Sequence, residues 1–177
     1  MLTRLILVVL GMLTASQCSL HAEGLKWDSA GMRGAFSGSS FDDPFHQVEL
    51  YANMALPWRA ESKSGCYVQT RLDLAAGWLH GRGEDGFVGS AGPGFSFGKK
   101  GFPIIFDLGT APTILSRDRF DTTDFGVPIQ FTTHAGFLFE IGARAVIGYR
   151  FQHMSNAHID DHNPGLDLHS IGLGYRF

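Results

Sequence analysis

Residues 145–177 read AVIGYRFQHMSNAHIDDHNPGLDLHSIGLGYRF, and their alternation decides the fold. Successive side chains on a strand point to opposite faces, so positions two apart share one. Ala145, Ile147, Tyr149 and Phe151 form an apolar row, with Gly148, Arg150 and Gln152 opposite. After the loop, Ile171, Leu173, Tyr175 and Phe177 form a second apolar row, with Ser170, Gly172, Gly174 and Arg176 opposite. His153, Ser155 and Asp167 have the parity of the apolar rows. An antiparallel register that pairs Ser155 with Gly165 sets Asp167 directly opposite His153, where cross-strand Cβ atoms lie about 5 Å apart. Any pairing of odd with odd positions keeps all three groups on one face. That face reads as lipid-facing.

The N-terminus makes an apolar outward face acceptable. Arg4 precedes the run Leu5–Leu10, followed by small and polar residues to Ala22. This pattern reads as a secretory signal peptide over 1–22, too short and wrongly flanked for a membrane-spanning helix. Cleavage after Ala22 leaves residues 23–177 as a single domain. Cys18 falls in the leader and Cys66 is then the one remaining cysteine, so an internal disulfide does not hold this fold.

The other segments repeat the alternation. Val48, Leu50, Ala52, Met54 and Leu56 alternate with polar neighbours, as do Val68, Thr70, Leu72, Leu74, Ala76 and Trp78, and then Ile129 through Glu140. Weaker versions run near 31–36, 87–97 and 103–110. With the two C-terminal strands this predicts an all-β, eight-stranded antiparallel transmembrane β-barrel of the bacterial outer membrane, in keeping with 23 glycines and 15 phenylalanines. Trp58, Trp78, Tyr149 and Tyr175 suit interfacial aromatic belts. Glu49, Arg71, Asp73, Asp107, His134, Glu140 and Arg150 are expected to face inward as an ion-pair network, because a barrel of this size has room inside only for side chains. Long connections over 37–44, 80–86, 111–126 and 156–165 are expected at one rim, the extracellular one. Short turns over 57–65, 99–101 and 142–143 are expected at the periplasmic rim. A net charge of −3 with 18% charged residues offers no basic stripe for nucleic acid.

The outward polar groups carry a chemistry. A serine hydroxyl is a poor nucleophile until a base takes its proton, and imidazole is suited to take and return one near neutral pH. A carboxylate behind the imidazole fixes its tautomer. Asn163 could donate to a tetrahedral oxyanion, although Asn163, Pro164 and Gly165 also favour a simple turn. His-x-Ser by itself is a weak signal, more often an interfacial polar pair; three polar groups extending an apolar outward row are costly at a lipid interface and favour a function. His153, His158, His162 and His169, with Asp160 and Asp161, also cluster in sequence, but they form no zinc-binding pattern. No metal and no cofactor are expected.

His153, Ser155, Asn156, Ala157, Asn163, Pro164 and Gly165, at these spacings before a C-terminal strand ending in Phe177, resemble the PagL family of outer-membrane lipid A 3-O-deacylases. The likeness is specific in the last strand pair and architectural elsewhere. It implies that Ser155 is the nucleophile, that His153 is the general base, and that Asn163, with Asn156, holds the oxyanion. Asp167 stands where the family usually has glutamate, and His158 where a small residue is commoner. The resemblance also supplies the substrate, the 3-O acyl ester of lipid A in lipopolysaccharide, reached by lateral diffusion with its acyl chains against the barrel wall. The residues alone supply only a lipid-facing serine hydrolase. The alternatives are an outer-membrane phospholipase, which uses a larger barrel, and a non-enzymatic structural or adhesive barrel. A monomer or a homodimer is expected, and the sequence chooses neither.

Overall fold

The computed structural model describes residues 19–22, 24–38 and 44–177. Its strands are β1 (Ser19–Ala22), β2 (Lys26–Ser37), β3 (His46–Glu61), β4 (Cys66–Gly81), β5 (Glu84–Lys99) and β6 (Ile104–Leu115). They continue with β7 (Arg119–Phe120), β8 (Thr123–Asp124), β9 (Ile129–Ile141), β10 (Ala145–Ser155) and β11 (Leu166–Arg176). Every ladder is antiparallel. The order β3-β2-β11-β10-β9-β6-β5-β4 returns to β3, so eight strands close into a barrel, as the alternation predicts. The short β1 lies outside the ring and pairs along Trp58–Glu61 of β3. It falls within the stretch read as a leader, whose first eighteen residues lie outside the described residues.

The two faces separate as the parity requires. Along β10, Ala145, Ile147, Tyr149, Phe151 and His153 are exposed while Val146, Arg150, Gln152 and Met154 are buried. The four expected belt residues Trp58, Trp78, Tyr149 and Tyr175 all lie on the outer wall. A wall exposed to water in this way would be an aggregation surface; against hydrocarbon it is the solvated one.

Inside, the lumen is packed by charge. Asp107, fully buried, accepts from Arg71 Nη2 at 3.1 Å and Arg150 Nη2 at 2.8 Å, and Asp73 lies 3.2 Å from Arg71 Nε. His134 Nε2 sits 3.5 Å from Asp107 and 3.6 Å from Asp73. Nearer the long-loop rim, Arg33 pairs with Glu49 at 2.7 Å, and Gln47 Nε2 donates to the other oxygen of the same carboxylate. Gly94 makes room for this network, since a Cβ there would lie 2.3 Å from Asp73 Oδ2. Glu140 is only half-buried and joins Asp28 in holding Arg176 at the opposite end. Above the charges, Phe45, Leu79, Phe120, Phe125, Met154, Leu166 and Leu168 form an apolar plug. Phe45, Phe120 and Phe125 meet edge to face at 5.5 to 6.0 Å. The β7–β8 hairpin carries two of these rings over the mouth of the barrel.

Two connections differ from the sequence expectation. The link over 80–86 is no long loop: β4 and β5 run on to a two-residue turn at Arg82 and Gly83, with φ of 50° and 74°. Both values lie in the left-handed region that matches the twist of a tight hairpin. Nor does β3 end at Pro57. The register shifts between Ala55 and Arg59 and pairing resumes to Glu61. A bulge tolerates a residue with no amide hydrogen, and Gln69 Nε2 and Thr70 Oγ1 donate to the Trp58 carbonyl at 3.2 and 2.9 Å.

Replacing Asp107 with alanine should leave Arg71 and Arg150 buried without their shared anion. A loss of about 3–5 kcal/mol is expected, read as a lowered unfolding midpoint of the refolded barrel in detergent. A midpoint equal to the parent's would mean that the network does not hold the lumen together.

Candidate active site

The polar outward groups sit at the long-loop end of the β10–β11 ladder. His153 pairs directly with Asp167 and Met154 with Leu166, so the ladder ends one position short of Ser155. His153 Nδ1 lies 2.6 Å from Asp167 Oδ1. With the proton on Nδ1 donating to the carboxylate, Nε2 is the basic nitrogen. Ser155 lies two positions along the same outward row, half-buried, where the strand gives way to the loop. The imidazole leans over Gly165: a Cβ there would lie 3.0 Å from His153 Cε1, and φ of 69° already favours glycine. Both side chains of the pair are about half exposed, toward hydrocarbon and headgroups. In that medium a hydrogen bond competes with little water.

The loop over 156–165 is organised by Asn156, which is fully buried. Its Nδ2 donates to the Phe125 carbonyl at 3.1 Å and the His162 carbonyl at 2.9 Å, and its Oδ1 accepts from the His158 amide at 2.9 Å. Its own main-chain N–H donates to Asn163 Oδ1 at 3.1 Å. Asn156, expected beside Asn163 as an oxyanion donor, therefore has all its donors engaged within the protein; it positions the loop. The same contact turns the Asn163 carboxamide so that its oxygen is held and its NH₂ remains to donate. Ala157 and His158 both adopt left-handed backbone, with φ of 54° and 64°. Only glycine takes that conformation without steric cost, a physical reason for small residues at the position of His158.

The loop rests on the neighbouring hairpin. Gly126 abuts it so closely that a Cβ would come within 2.5 Å of the His162 carbonyl oxygen. The hairpin is fixed through Asp124, which accepts from the Gly126 amide at 2.9 Å and pairs with Arg119. The Gly126 amide first, and Arg119 after it, hold the Asp124 carboxyl below its ordinary range. The remaining histidines are spread apart. His162 pairs with Asp160 at 3.2 Å, His158 is exposed on the loop, and His169 lies on the outer wall with its Nδ1 2.7 Å from the Tyr149 hydroxyl. Sequence reasoning did not single out this Tyr149–His169 pair, although the parity of both residues placed them outward.

Comparison with known proteins gives the lineage. The chain matches the family model described as lipid A 3-O-deacylase (PagL) over residues 46–176. It is 33% identical over 102 residues to the lipid A deacylase PagL of Bordetella bronchiseptica (strain ATCC BAA-588 / NCTC 13252 / RB50). That stretch covers 56% of this chain and 57% of the relative, so little more than half of the relative's length is matched. Among solved structures, the crystal structure of the outer membrane enzyme PagL superimposes with a TM-score of 0.68 at 20% identity, covering 85% of this chain and 98% of that one. A de novo designed transmembrane β-barrel superimposes at 0.54 and 13% identity, covering 88% and 99%. The two structures carry the fold, an outer-membrane type of barrel, and the family model carries the lineage: this chain belongs to the PagL lipid A 3-O-deacylase family.

Proposed function

We propose that this barrel is a serine esterase of the bacterial outer membrane that hydrolyses the ester-linked 3-O acyl chain of lipid A. Family membership supports the activity and the substrate. The observation that carries the assignment to residues is the 2.6 Å contact between His153 Nδ1 and Asp167 Oδ1 on the lipid-facing wall, with Ser155 on the same row. A leader over 1–22 delivers the chain, and 23–177 forms the barrel. Lipopolysaccharide reaches the site by lateral diffusion in the outer leaflet.

In this mechanism Ser155 Oγ attacks the ester carbonyl carbon as its proton passes to His153 Nε2. The imidazolium is stabilised by Asp167 through Nδ1. The carbonyl oxygen becomes an oxyanion, for which the Asn163 NH₂ is the side-chain donor, a contact worth about 3 kcal/mol in other hydrolases. Collapse breaks the bond to the sugar oxygen, which leaves with the proton from His153, and the acyl group remains on Ser155. Water then attacks the acyl-enzyme, giving its proton to His153 and releasing the fatty acid and the free Ser155 hydroxyl. Asn156 is a positioning residue here, since it holds Asn163 and the loop.

Ser155→Ala should abolish release of the acyl chain while the protein keeps its heat-modifiable mobility, because one hydroxyl contributes little to stability and all of the nucleophile. Lipid A from cells expressing the parent or the variant, compared by mass spectrometry, reads this directly. Continued deacylation by folded Ser155→Ala protein would exclude this serine.

Asp167→Asn should lower turnover by about two to four orders of magnitude, because an amide can support the imidazole in the wrong tautomer. Asp167→Glu should keep substantial activity, since it restores a carboxylate one methylene longer. The check is kcat on a soluble ester in detergent across the pH range. If Asp167→Asn follows the parent at every pH, His153 is oriented by another group.

A further inference from the structure

A nucleophile on the outer wall needs a path for the chain it removes, and the two sides of Ser155 differ. Toward β11 the wall is filled. Asp167 holds His153, and one rung below, His169 packs on Phe36, Phe151 and Tyr149 at ring-centroid distances of 5.8, 5.3 and 6.1 Å. Toward β9 the wall is low. Thr133 lies opposite His153 and Ala135 opposite Phe151, both exposed on the outward face. They interrupt a column that otherwise presents Phe131, Phe137 and Phe139 to lipid. The next strand continues the depression, with Thr110 paired to Thr133 and Leu108 to Ala135. The two threonine hydroxyls lie 3.3 Å apart, so each has a partner and the floor offers hydrocarbon a surface with little bare polarity.

We propose that this notch, floored by Thr133 and Ala135 between Phe131 and Phe137, holds the single linear acyl chain that is cut at Ser155. The proposal rests on Ser155 being the nucleophile. Phe131 pairs with Ser155 across the ladder, so the upper end of the notch lies beside the reacting atom. From there to Phe137 the strand rises about 20 Å, the scale of a long fatty acyl chain. Lipid tails already cover this wall, so the groove cannot select by excluding water. It selects by close packing along one chain, the interaction that governs association within a bilayer. Phe137 closes the lower end and limits the length accepted, and Ala135 sets the depth. A side chain larger than alanine at 135 would lift the acyl chain off the wall.

The test uses the purified full-length barrel in mixed micelles with p-nitrophenyl palmitate and p-nitrophenyl butyrate, which share a leaving group and differ in chain. Ala135→Phe should lower the palmitate-to-butyrate ratio of kcat/KM by about tenfold, mainly through KM for palmitate. Ala135→Leu should give a smaller drop in the same direction. Gly34→Phe adds the same ring on the far side of the catalytic pair, where a Cβ meets no neighbouring atom, and should keep the parental ratio. The groove is overturned if folded Ala135→Phe and Ala135→Leu keep the parental ratio, or if Gly34→Phe lowers it instead. Ser155→Ala separates the two levels: it removes turnover of both esters if the nucleophile is right, whereas the groove variants alter only the choice between them.

Discussion

A chain that crosses hydrocarbon has no water to satisfy its backbone, so each amide and carbonyl must find a partner within the protein. For strands the solution is a closed ring, and here β3 and β4 complete it. Closure fixes more than stability. Once neighbouring ladders hold β10 and β11 on both sides, neither can slip by one residue without turning its apolar row into the lumen and Arg150 or Arg176 into lipid. The placement of His153 opposite Asp167 is thus a by-product of membrane solvation: the register that buries the charges inside is the register that aligns the polar pair outside.

The lumen supplies the rigidity that such a site needs. Eight strands enclose a narrow interior, and this chain fills it with carboxylates and guanidiniums that share atoms, Asp107 serving both Arg71 and Arg150. Removing any single partner strands the others, so the network resists partial loosening. The aromatic plug above it does a second task. Phe125, fully buried among Phe45 and Phe120, offers its carbonyl to Asn156, and Asn156 in turn holds Asn163. The loop beside Ser155 is thereby tied to the core of the barrel, although it stands at the rim.

Much of this was legible from alternation, because parity needs only the local sequence. The outward row of 145–155, the inward charges and the pairing of His153 with Asp167 all follow from counting in twos once the Asn163-Pro164-Gly165 turn sets the register. What escaped depends on distance or on unusual turn chemistry. Arg82 is not a residue that announces a two-residue hairpin, so 80–86 read as a long loop. Pro57 reads as a strand end unless the bulge is known. Asn156 looked like a donor to substrate because its partner Phe125 lies 31 residues away in sequence. The low ground at Thr133 and Ala135 was visible only as ordinary strand residues. Their meaning comes from Phe131 and Phe137 on either side and from the filled wall across β10.

The aspartate at 167 shows how the barrel accommodates a shorter acid. A glutamate reaches further, but it also brings one more rotatable bond to be fixed when it holds an imidazole. Directly opposite residues on antiparallel strands place their Cβ atoms only about 5 Å apart, and at that separation an aspartate spans the gap to Nδ1 at 2.6 Å. The ring is then confined from the other side by Gly165, where no Cβ fits at an ordinary distance. A short acid and a bare glycine thus fix the imidazole between them. The orientation of His153 comes from strand pairing and close approach, both set by the barrel, and depends little on the conformational freedom of the acid itself.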